Sequence, residues 1–262
     1  MSFSPDWLAL RAPADAAARD AGLVALLDDW AKTRPGPLKV VDLGCGAGAT
    51  FAALDACLPG ADWLLLDNDP DLLEIAAACA PGDPGAGSVT TGRADLNDSI
   101  EGAVAGADLV TASALFDLAS QAWIDRLVAA LPKGAALYAA LSYDGAESWV
   151  PAHEAEREAQ KAFRAHQRRD KGFGGPALGP EAADALVEAL VASGRDVRRA
   201  PSAWRLERPR DGALIEALAA GSAAAVAEIG TLDEESFAEW AAARVAAEEV
   251  LIGHEDILAL PV

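Results

Sequence analysis

Three glycines at alternate positions follow a short apolar run in this chain. Residues 40–48 read VVDLGCGAG, with Gly44, Gly46 and Gly48 behind Asp42 and around Cys45. A glycine turn lets backbone approach a ligand with no Cβ in the way, and the helix that follows presents free N–H groups to it. Read as G-x-G-x-x-A through Gly44, Gly46 and Ala49, the same stretch fits the dinucleotide pattern of nicotinamide enzymes. Asp42 sits inside the end of the run, two residues before Gly44. A carboxylate there costs several kcal/mol unless a ligand or the turn's own amides supply hydrogen bonds. Two more carboxylates end later runs: Asp67 closes WLLLD, and Asp95 follows in GRADL. At the carboxyl end of a second strand, Asp67 faces the same crevice as the turn. Asp69, just before Pro70, reads as a helix cap.

The elements that position these residues alternate. Residues 5–32 read as helix, with Pro13 as a break or first turn, and 34–37 as a stop. Apolar runs at 38–43, 63–66, 88–91, 107–113 and 135–142 read as strands. Helical stretches at 49–58, 71–80 and 121–131 lie between them, and 81–87 reads as a loop. Five strands alternating with helical stretches argue for a parallel sheet covered on both faces. Beyond 142 the rhythm changes. A polar helix and a Gly-rich loop fill 147–175, and an amphipathic helix spans 180–193. Two short strands surround Pro201-Ser202 in 196–208, and alanine-rich helices follow near 211–228 and 233–251.

Together these motifs resemble the class I S-adenosylmethionine-dependent methyltransferases. Their first motif, a strand followed by (D/E)-x-G-x-G-x-G, is met by Asp42, Gly44, Gly46 and Gly48. The resemblance covers about 38–142 and the late strand pair. It implies an α/β, Rossmann-like fold: a mostly parallel seven-stranded sheet with an antiparallel last strand, plus a helical cap. One domain spans 1–262, with an N-terminal helical cap (1–36), a cofactor-binding core (38–142), a lid insertion (145–178) and C-terminal helices with the strand pair (180–262). The implied cofactor is S-adenosyl-L-methionine, and the product S-adenosyl-L-homocysteine. By resemblance, Asp42 acts near the methionine end, often through water, and the turn, Cys45 included, packs against the cofactor. Asp67 accepts from both ribose hydroxyls with Asn68 beside it. Asp95 lies near the adenine amino group, flanked by Ala94 and Leu96. Ser113, Ala114 and Leu115, after the fourth strand, line the pocket.

Methyl transfer is an SN2 displacement at a sulfonium, so a nucleophile must lie in line with the methyl in a dry pocket. A general base is optional. Family members receive the acceptor over the carboxyl ends of strands four and five. Those places hold Trp7, Arg11, Asp15 and Arg19, then Phe116 and Asp117, then Tyr143 and Asp144, then Trp149, His153, His166, Arg169 and Phe173. Asp15 and Arg19 are spaced for a surface ion pair. The base candidates are His153, His166 and Tyr143; the plain alternative for each histidine is an ordinary polar residue. The acceptor-binding candidates are Trp7, Arg11, Arg19, Phe116, Asp117, Arg168 and Arg169. The last two can hold a carboxylate or phosphate from the run HQRRDKGF at 166–173, which suits a closing loop. His254 reads as structural. No metal site is expected. No Asn-Pro-Pro-Tyr motif follows strand four, which weakens a nucleic-acid base N-methyltransferase.

Composition narrows the field. The chain has 262 residues, 52% of them hydrophobic, enough for one α/β domain with a small cap. A net charge of −20 repels a phosphate backbone, so nucleic acid is not an expected partner. The charge is uneven: 157–171 and 195–210 are basic, whereas from 211 onward Arg244 is the only Lys or Arg. The basic stretches are either solvated surface or a rim that receives a small anion. No apolar run is read as long as the roughly 18 to 20 residues that span a bilayer. The start of the chain does not read as a signal peptide, and three cysteines at 45, 57 and 79 fit a reducing cytoplasm. These readings converge on a cytoplasmic, bacterial-type, small-molecule methyltransferase, monomeric or homodimeric. The alternatives are an aminopropyl- or carboxymethyl-transferring relative, a nicotinamide dehydrogenase, or a non-catalytic protein that binds the cofactor or a partner. For the last, helices bearing Phe237 and Trp240 could form a dimer face, or simply pack on the sheet.

Overall fold

A computed structural model describes residues 3–79 and 87–262. Four short strands start the sheet: β1 (Lys39–Leu43), β2 (Asp62–Asp67), β3 (Val89–Arg93) and β4 (Leu109–Ser113). They pair in parallel, with Val41 opposite both Leu64 and Val110. The fifth strand, β5 (Ala136–Val150), is parallel to β4 over its first residues and then runs eight residues past the expected end at 142. Beside it lies β8 (Glu249–Leu260), antiparallel, and on the far side of β8 lie β6 (Asp196–Pro201) and β7 (Trp204–Glu207). The order is β3-β2-β1-β4-β5-β8-β6, with β7 also paired to β8. β6 and β7 thus share the outermost position, interrupted at Ser202, whose amide donates to the His254 carbonyl at 2.7 Å.

Strand alternation sends apolar side chains to both faces, as a sheet covered by helices requires. Val41, Leu43, Val110, Ala112 and Leu137 pack with α5 (Leu96–Ala103), α6 (Gln121–Ala130) and α8 (Ala182–Ala192). Val40, Trp63, Leu65, Leu109 and Tyr138 pack with α2 (Ala21–Lys32), α3 (Ala49–Leu54) and α4 (Pro70–Ala78). The single helix expected over 5–32 is two helices. α1 (Pro5–Ala18) continues through Pro13, and the chain breaks at Arg19–Asp20. Asp20 caps α2 by accepting from the Leu23 amide at 2.8 Å. The expected helix at 49–58 shortens to α3 and a 3₁₀ turn. Most of the loop expected at 81–87 lies outside the described residues.

The far halves of β5 and β8 leave the plain sheet and carry a cap. Tyr143, Trp149, Trp204, Leu206, Val250 and Ile252 form its core with Leu214 and Ile215 of α9 (Gly212–Ile229). α7 (Glu156–Gln167) and α10 (Glu234–Val245) complete it. Residues 145–150, expected as lid, are therefore strand. The helix expected to reach 251 ends at Val245, and the last strand follows it. α9 is 18 residues long with a mean hydropathy of 1.5, so by length and composition alone it could span a bilayer, contrary to the sequence reading. Here Leu214, Ile215, Ala219 and Val226 are buried against the cap.

Arg244 crosses the cap, 3% exposed. It donates to Glu147 at 2.9 Å and Ser222 at 3.0 Å and pairs with Glu156. The indoles of Trp149 and Trp240 cover it at 4.3 and 4.7 Å. A buried carboxylate, Asp256, joins the sheet, the bulge of β5 and the joint between α1 and α2. Its Oδ2 accepts from the Tyr138 hydroxyl at 2.8 Å and the Asp20 amide at 3.0 Å, and its Oδ1 from the Leu141 amide at 2.8 Å. Leu141 lies in the β5 register shift with φ of 55°, a left-handed conformation that a non-glycine residue adopts only when held there. Replacing Asp256 with Ala strands two buried donors, the Tyr138 hydroxyl and the Leu141 amide, and a partly buried one, the Asp20 amide. Asp256→Ala is expected to cost on the order of 3 kcal/mol or more in denaturant unfolding, against about 1 kcal/mol for Tyr138→Phe. Equal losses in the two variants would show that Asp256 is not the junction.

Candidate active site

The glycine turn opens at the carboxyl end of β1 between two walls. A Cβ on Gly44 would come to 3.1 Å from Leu115, and one on Gly46 to 3.2 Å from Leu8 of α1, with φ of 64° and 52° at the two glycines. Only glycine suits both the conformation and the space. The turn is tied to the next strand. The Cys45 amide donates to the Leu66 carbonyl at 2.9 Å, and the Gly46 amide to Asp67 Oδ2 at 2.9 Å. Asp67 Oδ1 accepts from the Asp69 amide at 3.0 Å. Each carboxylate oxygen therefore holds one backbone donor and keeps a second lone pair.

A cleft of about 720 Å³ spreads over this end of the sheet. Its floor includes the residues 44–50, Asp67, Asn68, Asp95, Leu96 and 113–115. The inner face of α1 and the segment 171–173 close its sides. Asp95 also caps α5, accepting from the Asn97 amide at 2.9 Å. Ser113 Oγ accepts from Arg19 at 3.1 Å. Ala114 has φ of 50° and donates its amide to Ala140 at 2.9 Å, so the backbone is turned away from extended geometry where β4 meets the cleft.

Asp42 lies beneath the turn rather than in the cleft wall. It is fully buried, and its Oδ1 accepts from Thr111 Oγ1 at 2.7 Å. Its Oδ2 has no partner among the described residues. Burial pushes the carboxyl up to about 7, with the Thr111 hydroxyl, the Arg19 charge and the Thr50 hydroxyl pulling the other way.

The acceptor-binding candidates separate. Arg11 lines the cleft but is committed: it grips Asp15 with two bonds, at 2.9 and 3.0 Å, and lies 4.8 Å from the Trp204 ring centroid. Trp204 Nε1 donates to the same Asp15 at 3.1 Å. The α1 ion pair is therefore Arg11–Asp15 and buried, not a surface Asp15–Arg19 pair. Trp7 stands beside Arg11, its ring centroid 5.9 Å from the guanidinium. Phe116 is buried in the core against Trp123. Asp117 is half-buried, and burial raises its carboxyl to about 6 against the opposing charges of Arg11 and Lys171. Arg168 and Arg169 are ion-paired with Glu181 and Glu228 and do not line the cleft.

None of the three base candidates lines the cleft either. His153 Nδ1 accepts from the Ala155 amide at 3.2 Å, just before α7. His166 Nε2 lies 3.3 Å from Glu228; burial and the Lys171 charge lower its pKa. Tyr143 donates to Glu147 at 2.7 Å, and burial holds its proton on. Leu8, Leu118 and Lys171 line the cleft without having been singled out from sequence. Only Lys171 carried a signal, being one residue ahead of Gly172-Phe173 in the polar run.

No protein-family model matches the chain, and no curated protein matches it in sequence. Solved structures do. A cyclopropane-fatty-acyl-phospholipid synthase-like protein from Lactobacillus casei superposes with a TM-score of 0.53 at 14% identity, over 99% of this chain and 95% of that one. A cyclopropane synthase from Mycobacterium tuberculosis gives 0.52 at 14%, over 98% and 94%. A SAM-dependent methyltransferase from Geobacter sulfurreducens, in complex with S-adenosyl-L-homocysteine, gives 0.50 at 14%, over the full length of both chains. The chain has the Rossmann-like fold of class I methyltransferases, with its mostly parallel sheet and antiparallel last strand.

A pH test follows from Asp42. Its folded pKa is raised, so the unfolded chain releases this proton at lower pH than the folded one. Its contribution to stability is present below about pH 4 and is lost as pH rises toward about 7. The ligand-free Asp42→Asn variant lacks that loss. Its melting temperature minus that of the parent is expected to grow steadily from pH 4 to pH 7.5. A difference that is flat with pH contradicts a raised Asp42.

Proposed function

We propose that this chain is a methyltransferase that uses S-adenosyl-L-methionine to methylate a small polar or anionic metabolite. The observation that carries the reading is Asp67. It is held by the Gly46 and Asp69 amides at the rim of a cleft floored by the glycine turn, with free lone pairs on both oxygens. A carboxylate so placed suits a vicinal diol such as a ribose. The rest of the cleft fits the same ligand. Asp95 and Leu96 stand where an adenine would rest, and Gly44, Cys45, Gly46 and Gly48 leave backbone open to it. Ser113 and Ala114 line the cleft where the methionine end would rest, and Asp42 is buried beneath the glycine turn. Bound there, S-adenosyl-L-methionine would supply a sulfonium methyl group: an acceptor would attack its carbon in line by SN2, and the C–S bond would break to release the thioether S-adenosyl-L-homocysteine.

The protein's part is placement and exclusion of water. Leu8 on α1 and Leu115, Leu118 and Phe173 make apolar walls around the site where an acceptor would sit. Desolvation of the nucleophile and alignment with the methyl then supply the rate, with no general base required. We read the three free cysteines as suited to a reducing cytoplasm.

Incubation with methyl-labelled S-adenosyl-L-methionine and a panel of small hydroxy, amino and thiol acids tests this by product mass. A gain of one labelled methyl, with S-adenosyl-L-homocysteine formed in step, is the expected result. Asp67→Ala should reduce cofactor affinity about tenfold or more while leaving the fold intact. Transfer of a larger group, or cofactor affinity unchanged in Asp67→Ala, overturns the reading.

A further inference from the structure

Two cationic side chains line the cleft among the described residues, Arg11 and Lys171. Arg11 has its charge already met: Asp15 holds it through two hydrogen bonds and its face lies on Trp204, although N–H donors remain on the guanidinium. Lys171 differs. Its ammonium makes no hydrogen bond or ion pair with any described residue, although burial already lowers its pKa. The charged groups around it do not satisfy it. Glu228 is engaged by Arg169 and His166, and Asp117 interacts through space without a hydrogen bond. Arg169 and His166 add only positive or neutral neighbours.

Nor is Lys171 loosely hung. The next amide, Gly172, donates to Asp170 Oδ1 at 2.8 Å, and the Phe173 ring meets Trp123 edge-on at 5.3 Å. The Phe173 carbonyl accepts from the Ser120 amide. A partly desolvated ammonium with three unused donors, on an anchored stretch of backbone at the wall of a cleft, is suited to bind an anion. The protein as a whole carries a charge of −20 and repels anions, so selection of an anionic molecule demands such a local cation. Beside it, Leu118 and Phe173 are apolar.

We propose that Lys171 holds the anionic head of the methyl acceptor, and that the acceptor is a small molecule with an apolar body and a carboxylate or phosphate. The word acceptor rests on the methyltransferase reading; the anion site does not. Phenyl phosphate, benzoate and benzyl alcohol share one apolar body and differ in the head, so they serve as probes. Each is titrated into the protein saturated with S-adenosyl-L-homocysteine, for the parent and for Lys171→Gln and Lys171→Arg.

The parent is expected to bind at least one anionic probe about tenfold more tightly than benzyl alcohol. Lys171→Gln should abolish that preference and Lys171→Arg should retain it, with S-adenosyl-L-homocysteine affinity unchanged in both. The stronger anion names the head group. Equal binding of the three probes, no binding of any, or a preference that survives Lys171→Gln overturns the proposal. Failure of S-adenosyl-L-homocysteine to bind strikes the methyltransferase reading instead. The probes are then titrated into the protein alone, where the same outcomes decide the role of Lys171.

Discussion

A carboxylate removed from water must have its lone pairs met by donors, and the three that meet Asp256 tie together the parts on which the cleft depends. The Tyr138 hydroxyl belongs to the parallel part of β5, the Leu141 amide to its bulge, and the Asp20 amide to the joint between α1 and α2. The bulge shifts the register of β5 against β8, so that beyond it both strands carry the cap rather than extend the plain sheet. The joint sets the direction of α1, whose Leu8 then reaches the glycine turn. One buried carboxylate therefore links the parallel sheet, the bulge of β5 and the joint of the N-terminal helices.

The cleft shows how backbone geometry is exchanged for binding capacity. Gly44 and Gly46 adopt left-handed angles because they carry no Cβ, which would also crowd Leu115 and Leu8, and the Gly46 amide then orients Asp67. Ala114 adopts a similar angle at the end of β4 without being glycine. Strain of this kind is tolerated when the surroundings over-determine it, and it gathers where a ligand is received. Asp42 is the electrostatic counterpart: a buried acid one layer below the cleft, half-satisfied by Thr111.

Sequence made the first half legible and the second half less so. Strands β1, β2 and β4 are apolar runs that end in turns, and the spacing of glycines and carboxylates between 42 and 95 carries enough pattern to suggest a fold. The last strand was hidden. Residues 249–260 follow an alanine-rich helix, and the polar stretch at 253–256 splits their apolar runs, so no unbroken alternation marks one strand. Asp256 is tolerated there only because of donors more than 100 residues distant. The break at Arg19–Asp20 depends on the same contact. Arg168 and Arg169 have the right chemistry for an anion, but Glu181 and Glu228 claim them, a pairing set by tertiary structure. Lys171, two residues on, escapes such pairing and faces the cleft. Side-chain type was readable from sequence, while occupancy by a partner was not.

The central claim is that the cleft takes an S-adenosyl ligand, and calorimetric titration of the purified protein tests it most directly. S-adenosyl-L-homocysteine is expected to bind with a dissociation constant on the order of micromolar, about −8 kcal/mol, and NADH not to bind in the same range. Preferential binding of NADH, or no binding of S-adenosyl-L-homocysteine, would contradict the account and return the glycine turn to a dinucleotide reading.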